Sequence, residues 1–191
     1  MPRDKFVIDT SVFTNPDTRT VFGNSTQEAF LNFIDLARNV RKRIDFYMPP
    51  SVYEELLHFV KESELPGDAE LVIYIKPPKR FEVMVPGFLL YELIEEVRVR
   101  IDKGLRVAEE AVRSGEESDK TISKLRNKYR NAVRSGIIDS KEDVDLILLA
   151  MELNGALVTS DHGIIKWVEK LGVRTVNPRA FKSIIDKYIK K

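Results

Sequence analysis

The chain has 191 residues, a formal net charge of +1, and 43% hydrophobic against 32% charged residues, enough apolar material for one domain with a core. It has no cysteine and only two histidines, which excludes disulfides, thiolate metal sites and histidine-rich metal centres. No apolar stretch is long enough to cross a bilayer, and a strand begins too near the N-terminus to leave room for a signal peptide. We therefore expect a cytoplasmic protein with no membrane segment.

The first 60 residues alternate between strand and helix patterns. The apolar run Phe6 to Ile8 is typical of a buried parallel strand. Residues 13–25, rich in Thr, Asn and Asp, predict a loop, and apolar residues at helical spacing predict a helix from Thr26 to Val40. Ile44 to Met48 predicts a second strand, and Pro49-Pro50-Ser51 leads into a further helix.

The pattern is less definite between residues 66 and 86. Leu71 to Ile75 fits a strand or a short helix, and periodicity does not decide between them. Proline pairs and a Pro-Gly turn frame Phe81 to Val85, which predicts an extended piece.

Residues 87–136 have a helical pattern instead of the alternation of strands and helices seen before them. An apolar stripe runs along it at three- and four-residue steps for about seven helical turns, at Leu90, Ile94, Val97, Ile101, Leu105, Ala108 and Val112. A turn at Ser114 to Asp119 and a second stripe from Ile122 to Val133 follow. We predict a protruding two-helix hairpin, inserted into a domain that comprises residues 1–86 and 137–191.

After Gly136 the alternation returns. The predicted elements are a helix at 142–154, a strand at 156–159, a helix at 162–171, a strand at 173–176 and a helix at 179–190. The chain is therefore of the α/β class, with a central, mostly parallel sheet flanked by helices.

Acidic residues stand where these strands end and where one helix begins. Asp9 closes the first strand, Asp161 closes the strand at 156–159, and Asp139, Asp143 and Asp145 lead into the apolar helix. In a parallel sheet the carboxyl ends of neighbouring strands meet at one crevice, so these side chains can converge. Converging acids repel one another, and Mg²⁺ or Mn²⁺, which prefer oxygen ligands, relieve that repulsion. Asp9 or Asp161 taken alone is readily explained as a cap, but Asp145 beside an apolar stripe would be costly unless something neutralises it.

The motifs at these positions resemble the PIN-domain nucleases. Val7-Ile-Asp9-Thr-Ser11 matches the first strand of that family, and Pro50-Ser-Val-Tyr-Glu54-Glu55-Leu matches its early helical glutamate, with Glu54 the better candidate. Asp145-Leu-Ile-Leu-Leu-Ala150 and Ala156-Leu-Val-Thr-Ser-Asp161 match its last two elements.

A narrower resemblance links the chain to the small RNA-free ribonuclease P proteins, also known as RNA ligase partner proteins. The residues that carry it are Pro86 to Arg98, the hairpin, and Ile138 to Asp145. The resemblance implies removal of the 5′ leader of precursor tRNA without a protein cofactor. It also implies a homo-oligomer, with the hairpin (87–136) serving subunit association and tRNA contact.

The resemblance assigns roles to the acidic residues. The expected catalytic set is Asp9, Asp139, Asp143, Asp145 and Asp161, and the expected metal ligands are Asp9, Asp143, Asp145, Asp161 and Glu54. Which of Asp139, Asp143 and Asp145 bind metal directly stays open. Two Mg²⁺ or Mn²⁺ ions would activate water for an in-line attack that leaves a 5′-phosphate and a 3′-hydroxyl. Thr10, Ser11, Thr159 and Ser160 would orient the carboxylates.

The second hairpin helix is basic. From Lys120 to Ile138 it has six basic residues and no acid, whereas the preceding segment is acidic. The six are Lys120, Lys124, Arg126, Lys128, Arg130 and Arg134. Although such a face is usually only solvated, the segregation of charge favours contact with RNA phosphates, which reads shape rather than sequence.

Two other functions remain open from the sequence. A PIN-type toxin ribonuclease would share the acids, although such toxins are typically shorter and lack a long hairpin. A catalytically silent RNA-binding partner of a ligase would share the basic helix, but it has no need to keep uncompensated carboxylates together.

Overall fold

The computed structural model describes residues 3–113, 119–134, 138 and 140–189, and for 119–121, 133 and 134 it describes the backbone alone. Asp139, most of the predicted turn at 114–119, and the side chains of Lys120 and Arg134 therefore lie outside the described residues. The chain divides into two compact units, one formed by Met1–Val83 with Ser140–Lys191 and the other by Met84–Asp139.

The first unit is built on a five-stranded, fully parallel sheet. Its strands are β1 (Asp4–Ile8), β2 (Ile44–Met48), β3 (Ile73–Ile75), β4 (Ala156–Val158) and β5 (Arg174–Val176). The strand order is β3-β2-β1-β4-β5, so the chain winds outward from β1 first in one direction and then in the other. The order reverses between β1 and β4, which is where α/β proteins of this kind place their ligand crevice.

Ten helices are present in the part of the chain that the structure describes. They are α1 (Ser11–Thr14), α2 (Pro16–Arg19), α3 (Thr26–Val40), α4 (Pro50–Leu57), α5 (Ala69–Val72), α6 (Phe88–Arg113), α7 (Asp119–Arg134), α8 (Lys141–Leu153), α9 (His162–Lys170) and α10 (Pro178–Ile189). One further 3₁₀ turn spans Glu62–Glu64. None of the described helices combines the length and the apolar character needed to cross a membrane.

A cluster of phenylalanines forms the centre of the core. Phe33 of α3 lies 5.1 Å from Phe46 of β2 and 6.0 Å from Phe181 of α10, measured between ring centroids. Phe6 of β1 lies 5.2 Å from Phe181. All four rings are buried, so they tie α3 and α10 to the same face of β1 and β2.

Most of the predicted elements of this unit are present, with shifts of one or two residues at their ends. The loop predicted at 13–25 is wrong in its first part, because α1 and α2 occupy Ser11–Thr14 and Pro16–Arg19. Asn15 separates them and accepts a hydrogen bond from Asp17 N, which caps α2. Helices of one turn have no periodicity that a sequence pattern could reveal.

The structure also shows which secondary structure residues 71–75 and 81–85 adopt. The ambiguous stretch 71–75 contains both alternatives, since α5 ends at Val72 and β3 begins at Ile73. The extended piece predicted at 81–85 is wrong at its start, because Glu82 N and Val83 N both donate to Lys79 O and form a turn.

Helices α6 and α7 form the second unit and run antiparallel. The ring of Tyr129 lies so close to Gly104 that a Cβ there would be 2.7 Å from the ring, and Lys128 Nζ lies 2.9 Å from Glu110 Oε1. The apolar stripe of α6 is exposed in this structure. Its exposed members are Leu90, Ile94, Val97, Ile101, Leu105 and Val112.

Candidate active site

Two acidic residues flank the point where the strand order reverses. Asp9 follows β1 directly, and its backbone N–H donates to Val158 O of β4 at 3.1 Å. Asp161 follows β4 and is close enough to Asp9 for its charge to raise the pKa of Asp9. The structure therefore brings these two predicted site residues together at the carboxyl edge of the sheet.

The carboxylate of Asp9 is buried and held by two hydroxyl groups. Ser11 Oγ and Thr159 Oγ1 both donate to its Oδ2, the latter at 2.6 Å. Burial raises the pKa of Asp9, the hydrogen bonds from Ser11 and Thr159 oppose that rise, and the charge of Asp161 adds to it. Among the described residues, Asp9 has no ion-pair partner that would offset this rise.

Asp161 also begins a helix. Its Oδ1 accepts hydrogen bonds from Gly163 N at 2.6 Å and Ile164 N at 3.1 Å, so the side chain is the N-cap of α9. Thr159 Oγ1 accepts from Asp161 N at 3.0 Å and donates to Asp9 Oδ2 at 2.6 Å, so one hydroxyl group links the two acidic residues.

The glutamate that reaches the site is Glu55 and not Glu54. Thr10 Oγ1 contacts both Asp9 Oδ1 at 3.4 Å and Glu55 Oε2 at 3.3 Å. Burial and the charges of Asp9 and Glu142 raise the pKa of Glu55, whereas its hydrogen bond from Thr10 lowers it. These contacts favour Glu55 over Glu54, the residue predicted from the sequence, because successive helical residues point about 100° apart and only one of the pair can face Asp9.

Asp145 lies in the first turns of α8 and is buried. The sequence predicts that this burial is costly unless a partner neutralises the charge. Ser51 Oγ donates to its Oδ2 at 2.9 Å. Arg80 binds both of its oxygens, with Nε–Oδ1 at 2.9 Å and Nη2–Oδ2 at 2.6 Å. Arg80 is the compensating charge, and the sequence pattern does not predict it.

Of the remaining predicted site residues, Asp143 lies at the start of α8 and Ser160 lies beside Ser11. Asp143 stands in the first turn of α8, where its backbone N–H donates to Ser140 Oγ at 3.1 Å. Ser160 N donates to Ser11 Oγ at 3.0 Å, and Asn15 Nδ2 donates to Ser160 Oγ at 3.0 Å. Ser11 and Thr159 are therefore hydrogen-bonded to Asp9 directly, and Ser160 is linked to it through its backbone N–H and Ser11.

The donors at this edge fit a hard divalent cation by type. They are carboxylate and hydroxyl oxygens, and neither Asp9 nor Asp161 forms an ion pair with another residue in the part of the chain that the structure describes. In the described residues, however, no three carboxylates or imidazoles already stand close enough together to hold a metal ion. Asp145 is paired with Arg80.

Comparison with known proteins agrees with this geometry. The profile of the PINc domain ribonuclease family matches residues 5–190, which is nearly the whole chain. The protein therefore belongs to the PIN-domain ribonucleases, whose members generally depend on divalent metal ions.

Relatives of the chain assign it to one family within the PIN-domain ribonucleases. The chain is 49% identical over 191 residues to the RNA-free ribonuclease P of Pyrococcus horikoshii, covering 98% of this chain and 94% of that protein. It is 49% identical over 183 residues to the one of Thermodesulfovibrio yellowstonii (95% and 93% covered) and 44% identical over 189 residues to the one of Nitrosococcus oceani (96% and 94%). It is a member of the RNA-free ribonuclease P family.

Proposed function

We propose that the protein is an endoribonuclease that removes the 5′ leader of precursor tRNA in the cytoplasm, without a protein or RNA subunit of another kind. The observation that carries this proposal is the similarity over nearly the full length, in both units, to proteins named RNA-free ribonuclease P. The acidic edge of the sheet supplies the chemistry that such an activity needs.

The residues that would hold the metal are those at the reversal of strand order. Asp9 and Asp161 are the primary pair, Glu55 lies beside them, and Asp145 and Asp143 come from α8. Two ions, Mg²⁺ or Mn²⁺, match this number of carboxylates. When bound, such ions activate water and stabilise charge on a leaving oxygen.

The protein's own groups position the reaction. Ser11 and Thr159 fix the Asp9 carboxylate, and the N-cap hydrogen bonds fix that of Asp161, so neither has to reorganise when RNA arrives. In the reaction a water oxygen bonds to phosphorus and the bond to the 3′ oxygen of the leader breaks. Water loses a proton and the 3′ oxygen gains one, which leaves a 5′-phosphate on the tRNA.

The alternatives have less support. The family match and the relatives extend across the two-helix unit, which the shorter toxin ribonucleases lack. A silent partner of a ligase would not need the buried Asp9 with its raised pKa, because such a group costs stability and a binding module gains nothing from it.

The proposal is tested by incubating the purified protein with a precursor tRNA that carries a labelled leader. We expect one cut at the mature 5′ end, a 5′-phosphate on the tRNA, a 3′-hydroxyl on the leader, and no product after chelation of divalent ions. Cleavage at scattered sites in unrelated RNAs would instead support the toxin alternative, and binding without cleavage would support the silent partner.

We further propose that α7 contacts the substrate backbone. Lys124, Arg126 and Arg130 are exposed, and none of them forms an ion pair with another described residue. Lys128 is paired with Glu110, both exposed, and an exposed pair of this kind is weak enough to be given up for a phosphate.

Replacing Lys124 and Arg130 together with alanine should weaken precursor-tRNA binding. Each lost phosphate contact should reduce the slope of log K against log salt by up to about one unit. Filter binding over a salt series measures this, and Arg98→Ala with Arg113→Ala is the matched control, because it removes two exposed cations from α6 and leaves those of α7 in place. Unchanged affinity and slope in the α7 variant would mean that this helix is only a solvated face.

The exposed stripe of α6 supports a homo-oligomer. Leu90, Ile94 and Ile101 are each about 60% exposed, and a run of apolar side chains of this length marks a protein contact. Light scattering should report several subunits at micromolar concentration, and Ile94→Asp with Ile101→Asp should lower the molar mass. A monomeric wild-type protein would contradict the proposal.

A further inference from the structure

The ion pair of Arg80 and Asp145 joins a buried partner to an exposed one. The Asp145 side chain is 3% exposed and is fixed on α8, whereas the Arg80 side chain is 59% exposed and comes from an irregular segment. Two parallel hydrogen bonds hold the guanidinium on the carboxylate. The cation is thus the partner that can leave.

The backbone of that segment is anchored independently of this pair. Glu152, two helical turns after Asp145 on α8, accepts from Lys76 Nζ at 2.5 Å and from Lys79 N at 2.8 Å. Burial would raise the pKa of Glu152, but its hydrogen bonds and the charges of these lysines lower it, so it stays charged. Arg80 can therefore release Asp145 by rotating its side chain, while the segment that carries it stays in place.

Release of Asp145 has a cost unless another cation replaces the guanidinium. Of the donors among the described residues, Ser51 Oγ would then remain on a buried carboxylate, which is unfavourable without a counter-charge. A divalent cation held by Asp145 would supply that charge. It would therefore compete with Arg80, which binds both oxygens of this carboxylate.

A cleft beside this pair is suited to one nucleotide of a single strand. Its volume is about 430 Å³. Its lining includes Ser51, Lys79, Arg80, Phe81, Glu82 and Asp145. The Phe81 ring is fully exposed, so it can stack on a base, and a guanidinium can bind a phosphate through two hydrogen bonds. Lys79 is the weaker candidate because it pairs with Glu82 at 2.6 Å.

We propose that Arg80 exchanges partners during the reaction cycle: it neutralises Asp145 in the metal-free protein, and binds a phosphate of the RNA once a divalent cation takes that carboxylate. Phe81 stacks on the adjoining base. The inference rests on the proposed function, since it assigns a substrate-binding residue to the same site.

The test measures two bindings on Arg80→Ala, neither of them activity. Removal of the competing guanidinium should tighten Mn²⁺ binding about tenfold in the absence of RNA. Loss of the phosphate contact should weaken precursor-tRNA binding, measured with Ca²⁺ in place of Mg²⁺, and reduce its salt slope by about one unit. Opposite changes in the two affinities are the signature, because a merely structural ion pair would weaken both when broken.

Two further variants make the test decisive. Arg38→Ala is the matched control: Arg38 binds both oxygens of Asp68, away from the acidic site, so its loss should leave both affinities unchanged. Arg80→Lys keeps a positive charge for Asp145 if the alanine variant does not fold, and should weaken RNA binding without changing the salt slope. Unchanged RNA affinity in the Arg80 variants, or weaker Mn²⁺ binding by Arg80→Ala, overturns the inference. Wild-type protein that binds neither Mn²⁺ nor RNA would overturn the proposed function instead.

Discussion

Asp9→Asn should abolish cleavage and at the same time stabilise the metal-free protein. Asparagine removes the charge that a divalent cation needs. Loss of one group that stabilises charge in an active site costs roughly 10²–10³-fold in rate or more. The stability should rise because burial and the charge of Asp161 disfavour the ionised carboxylate. Single-turnover cleavage and urea unfolding in the presence of a chelator measure the two effects.

The stability gain should depend on pH in a defined direction. Because the pKa of Asp9 is raised by folding, its ionisation costs stability, and this cost is absent below the unfolded pKa of about 3.9. It develops as pH rises through the folded pKa, so the variant should exceed the wild type most at neutral pH. Asp35→Asn, which alters an exposed carboxylate of α3, is the control and should change neither rate nor stability appreciably. A gain that is largest in acid would contradict this account.

Asp161 allows the cap and the catalytic role to be separated. Asp161→Asn keeps a side-chain oxygen that can accept from Gly163 N and Ile164 N, so α9 should keep its N-cap. Cleavage should nevertheless fall roughly 10²–10³-fold, because the charge at the strand end is lost.

Asp161→Ala should lose both functions. Besides inactivity, we expect a loss of about 1 kcal/mol in the free energy of unfolding, the usual cost of removing an N-cap. Urea unfolding compares the two variants, and near-normal turnover by either one would remove Asp161 from the site. Equal stability of the two variants would mean that the cap contributes nothing.

The strand-end acids could be predicted because their position follows from a local pattern. An apolar run that ends in Asp9 or Asp161 predicts a strand, and it places the acidic residue at the carboxyl edge of the sheet. The parallel sheet then brings the two edges together without further information. The cost of burying Asp145 was also visible in the sequence.

The partner of Asp145 could not be predicted in the same way. Arg80 is 65 residues away in a segment without periodicity, and only the fold brings it to α8. The choice between Glu54 and Glu55 depended on the rotation of α4, which a pattern of eight residues does not fix to within one position. The two one-turn helices after Asp9 were missed because their capping residues look like those of a loop.

Mn²⁺ binding to the purified protein tests most directly the claim that the strand-end carboxylates form a divalent-metal site. We expect the wild type to bind Mn²⁺ and both Asp9→Asn and Asp161→Asn to bind it at least about tenfold more weakly, with folding intact. Asp35→Asn should bind as the wild type does. Equal Mn²⁺ affinity in the wild type and in both site variants would contradict the account.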